Sequence, residues 1–253
     1  MILELDHISV SLKGRRILND ISMSAREGEF IGLIGPNGAG KSTLLRTAAG
    51  LLPVEAGTRR LAGAAMETLS PRERARALSY LPQTRPLYWA MPVRSLVALG
   101  RFAWGNPLTE DARDAEAVDC ALAACGAGHL ADRPASELSG GELSRVHLAR
   151  ALAGETPLLL ADEPAAALDP AHQLSVMQLL RAKAEEGKAV IAALHDLTLA
   201  ARYCTRIVMV HEGGVAADGA PKDVLTDDQL QQVFRIRARF DAEGGLAIHA
   251  LEN

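Results

Sequence analysis

Gly35-Pro36-Asn37-Gly38-Ala39-Gly40-Lys41-Ser42-Thr43 is the stretch from which the rest of the chain can be read. It has the spacing G-x-x-x-x-G-K-[ST], and its flanks are those that spacing requires. Phe30-Ile31-Gly32-Leu33-Ile34 before it is a short apolar run suited to a buried strand, and Lys41 to Ala49 after it has helix-forming composition. Glycines at 35, 38 and 40 let successive N–H groups turn inward around an anion, and a helix opening near Lys41 brings about half a positive charge to the same point. Lys41 then reaches the outer phosphates and the Ser42 hydroxyl is set to ligate Mg²⁺. The expected ligand is a nucleoside triphosphate with magnesium.

The 253 residues, 48% of them apolar, are ample for a real core, and the chain reads as globular rather than disordered. Lys plus Arg at 27 against Asp plus Glu at 31 gives a net charge of −4 without long runs of one sign, so nucleic acid is not an indicated partner. Met1-Ile2-Leu3-Glu4-Leu5-Asp6 has no basic region followed by an apolar stretch, and no window holds about 18 uninterrupted apolar residues. The expectation is a chain that is neither exported nor membrane-spanning. Cys120, Cys125 and Cys204 form an odd set without metal-ligand spacing, read as small buried hydrophobes in a reducing compartment.

Around the cradle, Ile2, Leu5, Ile8 and Val10 alternate with polar positions, and Arg16 to Ile21 leads through Asn19-Asp20 into a second alternating stretch, Ile21 to Ala25. These predict antiparallel strands beside the Phe30–Ile34 strand. Gly50-Leu51-Leu52-Pro53 stops the cradle helix, Glu55-Ala56-Gly57-Thr58 reads as a turn before a strand at Arg59 to Leu61, and Ser70-Pro71-Arg72-Glu73 as a capped helix start running to Ala77. Leu78 to Leu81 reads as a strand closed by Pro82 and Gln83. Residues 84–153 are then rich in Ala, Leu, Arg and Glu at helical spacing, which suggests an inserted helical unit. Strand and helix alternate again from Pro157 to Tyr203. A hairpin is expected around Gly213-Gly214, an amphipathic helix from Asp227 to Phe234, and a second hairpin around Gly244-Gly245.

Leu158-Leu159-Leu160-Ala161-Asp162-Glu163 is an apolar strand that ends in two carboxylates. In a parallel sheet it delivers them to the edge where the phosphate cradle lies. Asp162 is then placed to hold Mg²⁺, directly or through water, and Glu163 to orient or deprotonate an attacking water. Ser139, Gly140 and Gly141 open a helix running through Arg145 to Leu152, where a hydroxyl and free N–H groups make a second anion site.

Leu138-Ser139-Gly140-Gly141-Glu142 resembles the signature sequence of the ABC transporter ATPases, and the other landmarks of that family follow in order. They are Gln83 at the lid loop, Ala167-Leu168-Asp169 after the two carboxylates, and His195 at the end of the next strand. The resemblance covers essentially the whole chain. It implies an α/β fold in which a P-loop NTPase core carries an antiparallel β subdomain and an inserted α-helical subdomain. Residues 1–83 and 154–253 would be the core with its C-terminal tail, and 84–153 the helical insert. It also implies a head-to-tail dimer with two ATP molecules, each held between one subunit's cradle and the signature Ser139, Gly140, Gly141 and Glu142 of the other. Gln83 becomes a magnesium and water contact, Asp169 a bridge between subunits, and His195 a contact to the γ-phosphate. Lys41, Glu163 and His195 carry the hydrolysis, with Ser42, Gln83 and Asp162 around the metal.

Two positions depart from the family pattern. Leu12 stands near the place where an aromatic residue often stacks on adenine, and Ser144 where a glutamine is common. Leucine keeps an apolar face and loses stacking worth about 1 kcal/mol.

Tyr88, Trp89, Phe102 and Trp104 cluster within residues 84–104, either as a small core or as a docking groove. In the family this region receives a short cytoplasmic helix of a membrane subunit, which implies integral permease partners and, beyond them, a substrate-binding protein. The chain would sit at the cytoplasmic face of the membrane. Met91 to Arg101 and Val224 to Phe234 resemble importers of iron–siderophore complexes, haem and cobalamin, with zinc or manganese importers close by. Soluble ABC ATPases of DNA repair, chromosome organisation or translation usually add coiled coils, zinc cysteines or a second cassette, none of which is visible. A nucleotide sensor without hydrolysis is disfavoured by Glu163 and His195.

Overall fold

In the computed structural model, residues 1–83, 90–105, 111–166, 168–241 and 245–251 are described. The chain opens with β1 (Leu3–Leu12) and β2 (Arg15–Ala25), joined by the two-residue turn Lys13-Gly14 with φ values of 51° and 77°. That is the mirror-image turn whose twist suits a tight hairpin. Then come β3 (Phe30–Ile34), α1 (Lys41–Ala48), β4 (Ala56–Leu61), β5 (Ala64–Ala65), α2 (Pro71–Ala77) and β6 (Leu78–Leu81). Helices α3 (Val93–Ala98), α4 (Ala112–Ala124) and α5 (Gly140–Ala153) follow, with short 3₁₀ turns between them. The chain returns through β7 (Leu158–Asp162), α6 (Pro170–Glu185), β8 (Ala189–Ala193), α7 (Leu197–Tyr203), β9 (Arg206–His211) and β10 (Gly214–Gly219). It closes with α8 (Pro221–Val224), α9 (Asp227–Phe234) and the hairpin of β11 (Ile236–Phe240) and β12 (Leu246–Leu251). Gly244 and Ala167, Tyr88 and Trp89 lie outside the described residues.

The main sheet runs β10-β9-β3-β8-β7-β6, parallel except for β10. Its central strands are apolar on every residue because both faces are covered. Phe30 and Ile34 of β3 and Val190 and Ala192 of β8 enter one core with α3 to α7. Ile31 and Leu33, with Ala189, Ile191 and Ala193, enter a second core against α1 and the antiparallel sheet β2-β1-β4-β5. The period of two along each strand thus feeds two cores from one sequence run. Fully burying a side chain such as Phe30 is worth roughly 1.5–3 kcal/mol.

Two local expectations change. Residues 55–58 do not turn: β4 begins at Ala56 and pairs with β1, Thr58 opposite Asp6. Gly57 is there because β1 bulges at His7, whose carbonyl would lie 2.4 Å from a Cβ at 57. Nor do Asn19-Asp20 separate two strands. Asp20 has φ 56° within a continuous β2, opposite the His7 bulge, and the His7 Nδ1 and Asp20 Oδ1 atoms meet at 2.6 Å.

Segment 99–105 is fastened by arginines. Arg101 is 2% exposed and donates to Asp114 Oδ1 at 2.7 Å, the Ala153 carbonyl at 2.9 Å and Glu155 Oε2 at 2.7 Å. Trp104 lies between the guanidinium groups of Arg76 and Arg101, 5.0 and 5.4 Å from its ring centre, and donates its Nε1 hydrogen to the Gly154 carbonyl at 2.9 Å. Arg72 and Arg76 of α2 each donate to the Ala103 carbonyl at 2.9 Å. Phe102 projects outward, 72% exposed, so neither it nor Trp104 forms a buried core.

The cysteines divide. Cys125 and Cys204 are buried, and burial pushes both thiols up to about 12. Cys120 is exposed, against the expectation for the set, because α4 turns Ala117, Val118, Ala121 and Leu122 inward and leaves 120 on the outer face. A thiol reagent at pH 8 is therefore expected to titrate Cys120 alone in the folded chain and to reach the other two only in denaturant. Rapid labelling of Cys125 or Cys204 without denaturant would refute that assignment.

Candidate functional site

Four parallel strands end at one edge, and each delivers a residue there. β3 leads into the glycine loop, β6 into Gln83, β7 into Asp162-Glu163 and β8 into His195. Together with α1 and β2 they enclose a cleft of about 440 Å³. Asn37, Gly38, Gly40, Lys41, Ser42 and Thr43 line it from the loop and helix, and Gln83, Glu163 and His195 from the other strand ends.

The loop is closed by its own lysine. Lys41 is 6% exposed, and its Nζ donates to the carbonyls of Gly35 at 2.7 Å and Pro36 at 3.1 Å. Burial pulls its pKa below the ordinary lysine value, against the opposing charges of Glu163 and Asp162. Gly35 has φ 152°, and a Cβ there would lie 2.1 Å from the Val210 carbonyl, so β9 leaves no room for a side chain. Gly35, Pro36 and Ala39 stay behind the lining, Ala39 buried in the second core.

Asp162 is buried beneath Ser42, whose hydroxyl donates to Asp162 Oδ1 at 3.1 Å. Burial pushes the Asp162 carboxyl above its ordinary range and the Glu163 charge adds to this, while the Ser42 bond and Lys41 pull the other way. A buried carboxylate and a hydroxyl within reach of an amide are hard oxygen donors, which suits Mg²⁺. Among the described residues no group of three or more His, Cys, Asp and Glu is placed to hold a metal. A few protein oxygens completed by phosphate and water is the arrangement typical of Mg²⁺.

Glu163 stands at φ 53°, a conformation that costs a non-glycine residue roughly 1–2 kcal/mol. It is held there because its N–H donates to the Ala193 carbonyl and its own carbonyl accepts from Ala166, both at 3.2 Å. The turn aims the side chain into the cleft, where Glu163 Oε1 meets His195 Nε2.

Ser139, Gly140, Gly141, Glu142 and Asp169 do not line this cleft. Ser139 caps α5: its Oγ accepts from the Glu142 N–H at 3.3 Å, and Glu142 Oε2 accepts from the Ser139 N–H and hydroxyl, each at 2.8 Å. That reciprocal bonding holds the Glu142 carboxyl below its ordinary range. Asp169 caps α6, accepting from the His172 N–H at 3.0 Å, with the His172 ring at 2.6 Å. Leu168 beside it lies against Gly141, so the signature and the Asp169 turn are neighbours.

Sequence reasoning missed Arg15 and Ile17, which also line the cleft, whereas Leu12 does not. The Lys13-Gly14 turn was the available signal, since it sets β2 to begin at Arg15.

The ABC transporter family model matches residues 18–166, more than half of the chain, from within β2 through the cradle and both carboxylates. The chain belongs to the ABC transporter family. Relatives extend the likeness. The cobalamin import ATP-binding protein BtuD of Halobacterium salinarum is 44% identical over 238 residues, covering 94% of this chain. This chain spans 60% of that relative's length. The hemin import ATP-binding protein HmuV of Pseudomonas entomophila is 44% identical over 239 residues and covered at 92% in both chains. The ATP-binding cassette MJ0796, solved as a dimer bound to ADP and Pi, superposes with a TM-score of 0.78 at 26% identity, over 87% of this chain and 99% of its own. The fold of this family member is thus that of the ABC cassettes.

Proposed function

We propose that the chain is the ATP-hydrolysing subunit of a membrane importer. The observation that carries this reading is the convergence of Lys41, Ser42, Gln83, Asp162, Glu163 and His195 at one sheet edge, with Asp162 already bonded to Ser42. Mg²⁺ bound there would neutralise phosphate charge. Lys41 exchanges the Gly35 and Pro36 carbonyls for phosphate oxygens, and the backbone N–H groups of residues 38–43 surround them. Asp162 and Ser42 would hold the metal, and Gln83 at the facing strand end would contact it or its water. Glu163 takes a proton from the attacking water, and His195 leaves Glu163 to donate to the γ-phosphate.

Two copies close head to tail, with Ser139, Gly140 and Gly141 of each completing the other's site and Asp169 bridging them. The dimeric cassette MJ0796 supports that assembly. Residues 84–153 act as the inserted helical subdomain on a core of 1–83 and 154–253, and every described element from 90 to 153 is helical.

A groove of about 650 Å³ lined by Pro71, Arg72, Ala75, Leu99 and Phe102 fits a short helix of a permease subunit. Among the described residues no helix is long and apolar enough to cross a membrane; in this reading the permease supplies the span and the chain docks at its cytoplasmic face. The likeness to hemin and cobalamin import proteins supports haem, cobalamin or ferric siderophore as cargo. The test is growth of a deletion strain on each of these as limiting nutrient. One nutrient is expected to fail, rescued by the wild-type chain and not by Glu163→Gln; equal rescue by both would reject an ATP-driven role.

A further inference from the structure

Among the described residues no aromatic side chain lines the nucleotide cleft. The part of its wall that comes neither from the cradle nor from a strand end is built by β2, through Arg15 and Ile17. β2 is fixed there by close packing: a Cβ on Gly40 would lie 3.2 Å from the Ile17 carbonyl and 2.9 Å from Leu18 Cδ2. Arg15 pairs across the hairpin with Leu12, and a register shift beside Ile17 lets Arg15 and Ile17 both line the cleft.

The two neighbouring arginines differ. Arg16 donates to Asn19 Oδ1 at 3.3 Å and lies 3.6 Å from a Glu55 carboxylate oxygen. The Arg15 side chain is exposed and makes no hydrogen bond or ion pair among the described residues. A guanidinium is planar and weakly hydrated on its faces, and it stacks on nucleobases as aromatic rings do.

Building on the nucleotide reading of the cleft, we infer that Arg15, flanked by Leu12 and Ile17, is the platform on which this chain stacks the base. A stacked cation meets the π face and reads no base edge. ATP and GTP therefore bind with affinities within a few-fold of each other.

The test measures the affinity of the full chain for Mg·ATP, Mg·GTP and inorganic tripolyphosphate by titration calorimetry. Arg15→Ala is expected to weaken both nucleotides about 3–10-fold and leave tripolyphosphate unchanged. Arg15→Trp restores nucleotide affinity, which a merely loosened hairpin would not allow, and Arg16→Ala leaves all three affinities unchanged. Wild-type ATP affinity in Arg15→Ala overturns the inference. So does a parallel loss of tripolyphosphate, which would make Arg15 a phosphate contact. A wild-type chain that binds tripolyphosphate but neither nucleotide removes the base platform alone, whereas one that binds none of the three removes the nucleotide site itself.

Discussion

Glu163→Gln is expected to lower ATP turnover about 10²–10⁴-fold while Mg·ATP affinity stays near that of the wild type. The two side chains have the same shape, so the turn at φ 53° and its bonds to Ala193 and Ala166 persist. What disappears is the proton acceptor beside His195. Binding is expected to survive because, in the proposed mechanism, Lys41, Ser42 and the loop backbone rather than Glu163 meet the phosphates. Phosphate release and equilibrium binding, measured on the same preparation, separate the two effects. Turnover at the wild-type rate would remove Glu163 from the chemistry, and a matching loss of affinity would make it a binding residue.

Lys41→Ala is expected to act on the opposite step, weakening Mg·ATP binding about 10–100-fold. A hydrogen bond to a charged group is worth about 1.5–3 kcal/mol, and each 1.4 kcal/mol is a factor of ten in affinity. The empty chain loses much less. Among the described residues its Lys41 side chain bonds the Gly35 and Pro36 carbonyls, and freeing these costs about 1 kcal/mol, or about 2–4 °C in melting temperature for a chain of this size. Binding by calorimetry and melting by circular dichroism would therefore diverge. A variant that lost ten degrees or more would indicate that the lysine holds the loop together and would leave its role towards phosphate without support.

The main sheet was legible because β3, β7 and β8 are continuous apolar runs, which only strands covered on both faces can be. Helix ends were legible where side chains bond the backbone, as at Ser70 with Glu73 and at Thr226 before Asp227–Phe234. The N-terminal sheet was harder. Gly57 reads as a turn residue, yet it sits in a strand because the neighbouring strand bulges towards it, a contact between residues distant in sequence. Cys120 could have been placed by helical spacing, since 117, 118, 121 and 122 share one face of α4 and 120 does not.

The placement of the residues at the strand ends was legible because each follows a strong strand signal. The β2 side of the cleft was not. Leu12 and Arg15 are equivalent in a linear sequence, and only the hairpin register and the packing of β2 on Gly40 decide which of them lines the cleft.

Helix α2 ends at Ala77 and β6 begins at Leu78, with no loop between them. The outer end of this unit forms a wall of the groove beneath Phe102 and is clamped to Ala103 by Arg72 and Arg76. Its inner end leads through Pro82 to Gln83 in the nucleotide cleft. Roughly 23 Å of regular backbone thus joins the groove to a residue that lines the cleft. With no loop between helix and strand, a shift of α2 at the groove is expected to be felt at Gln83 rather than absorbed on the way.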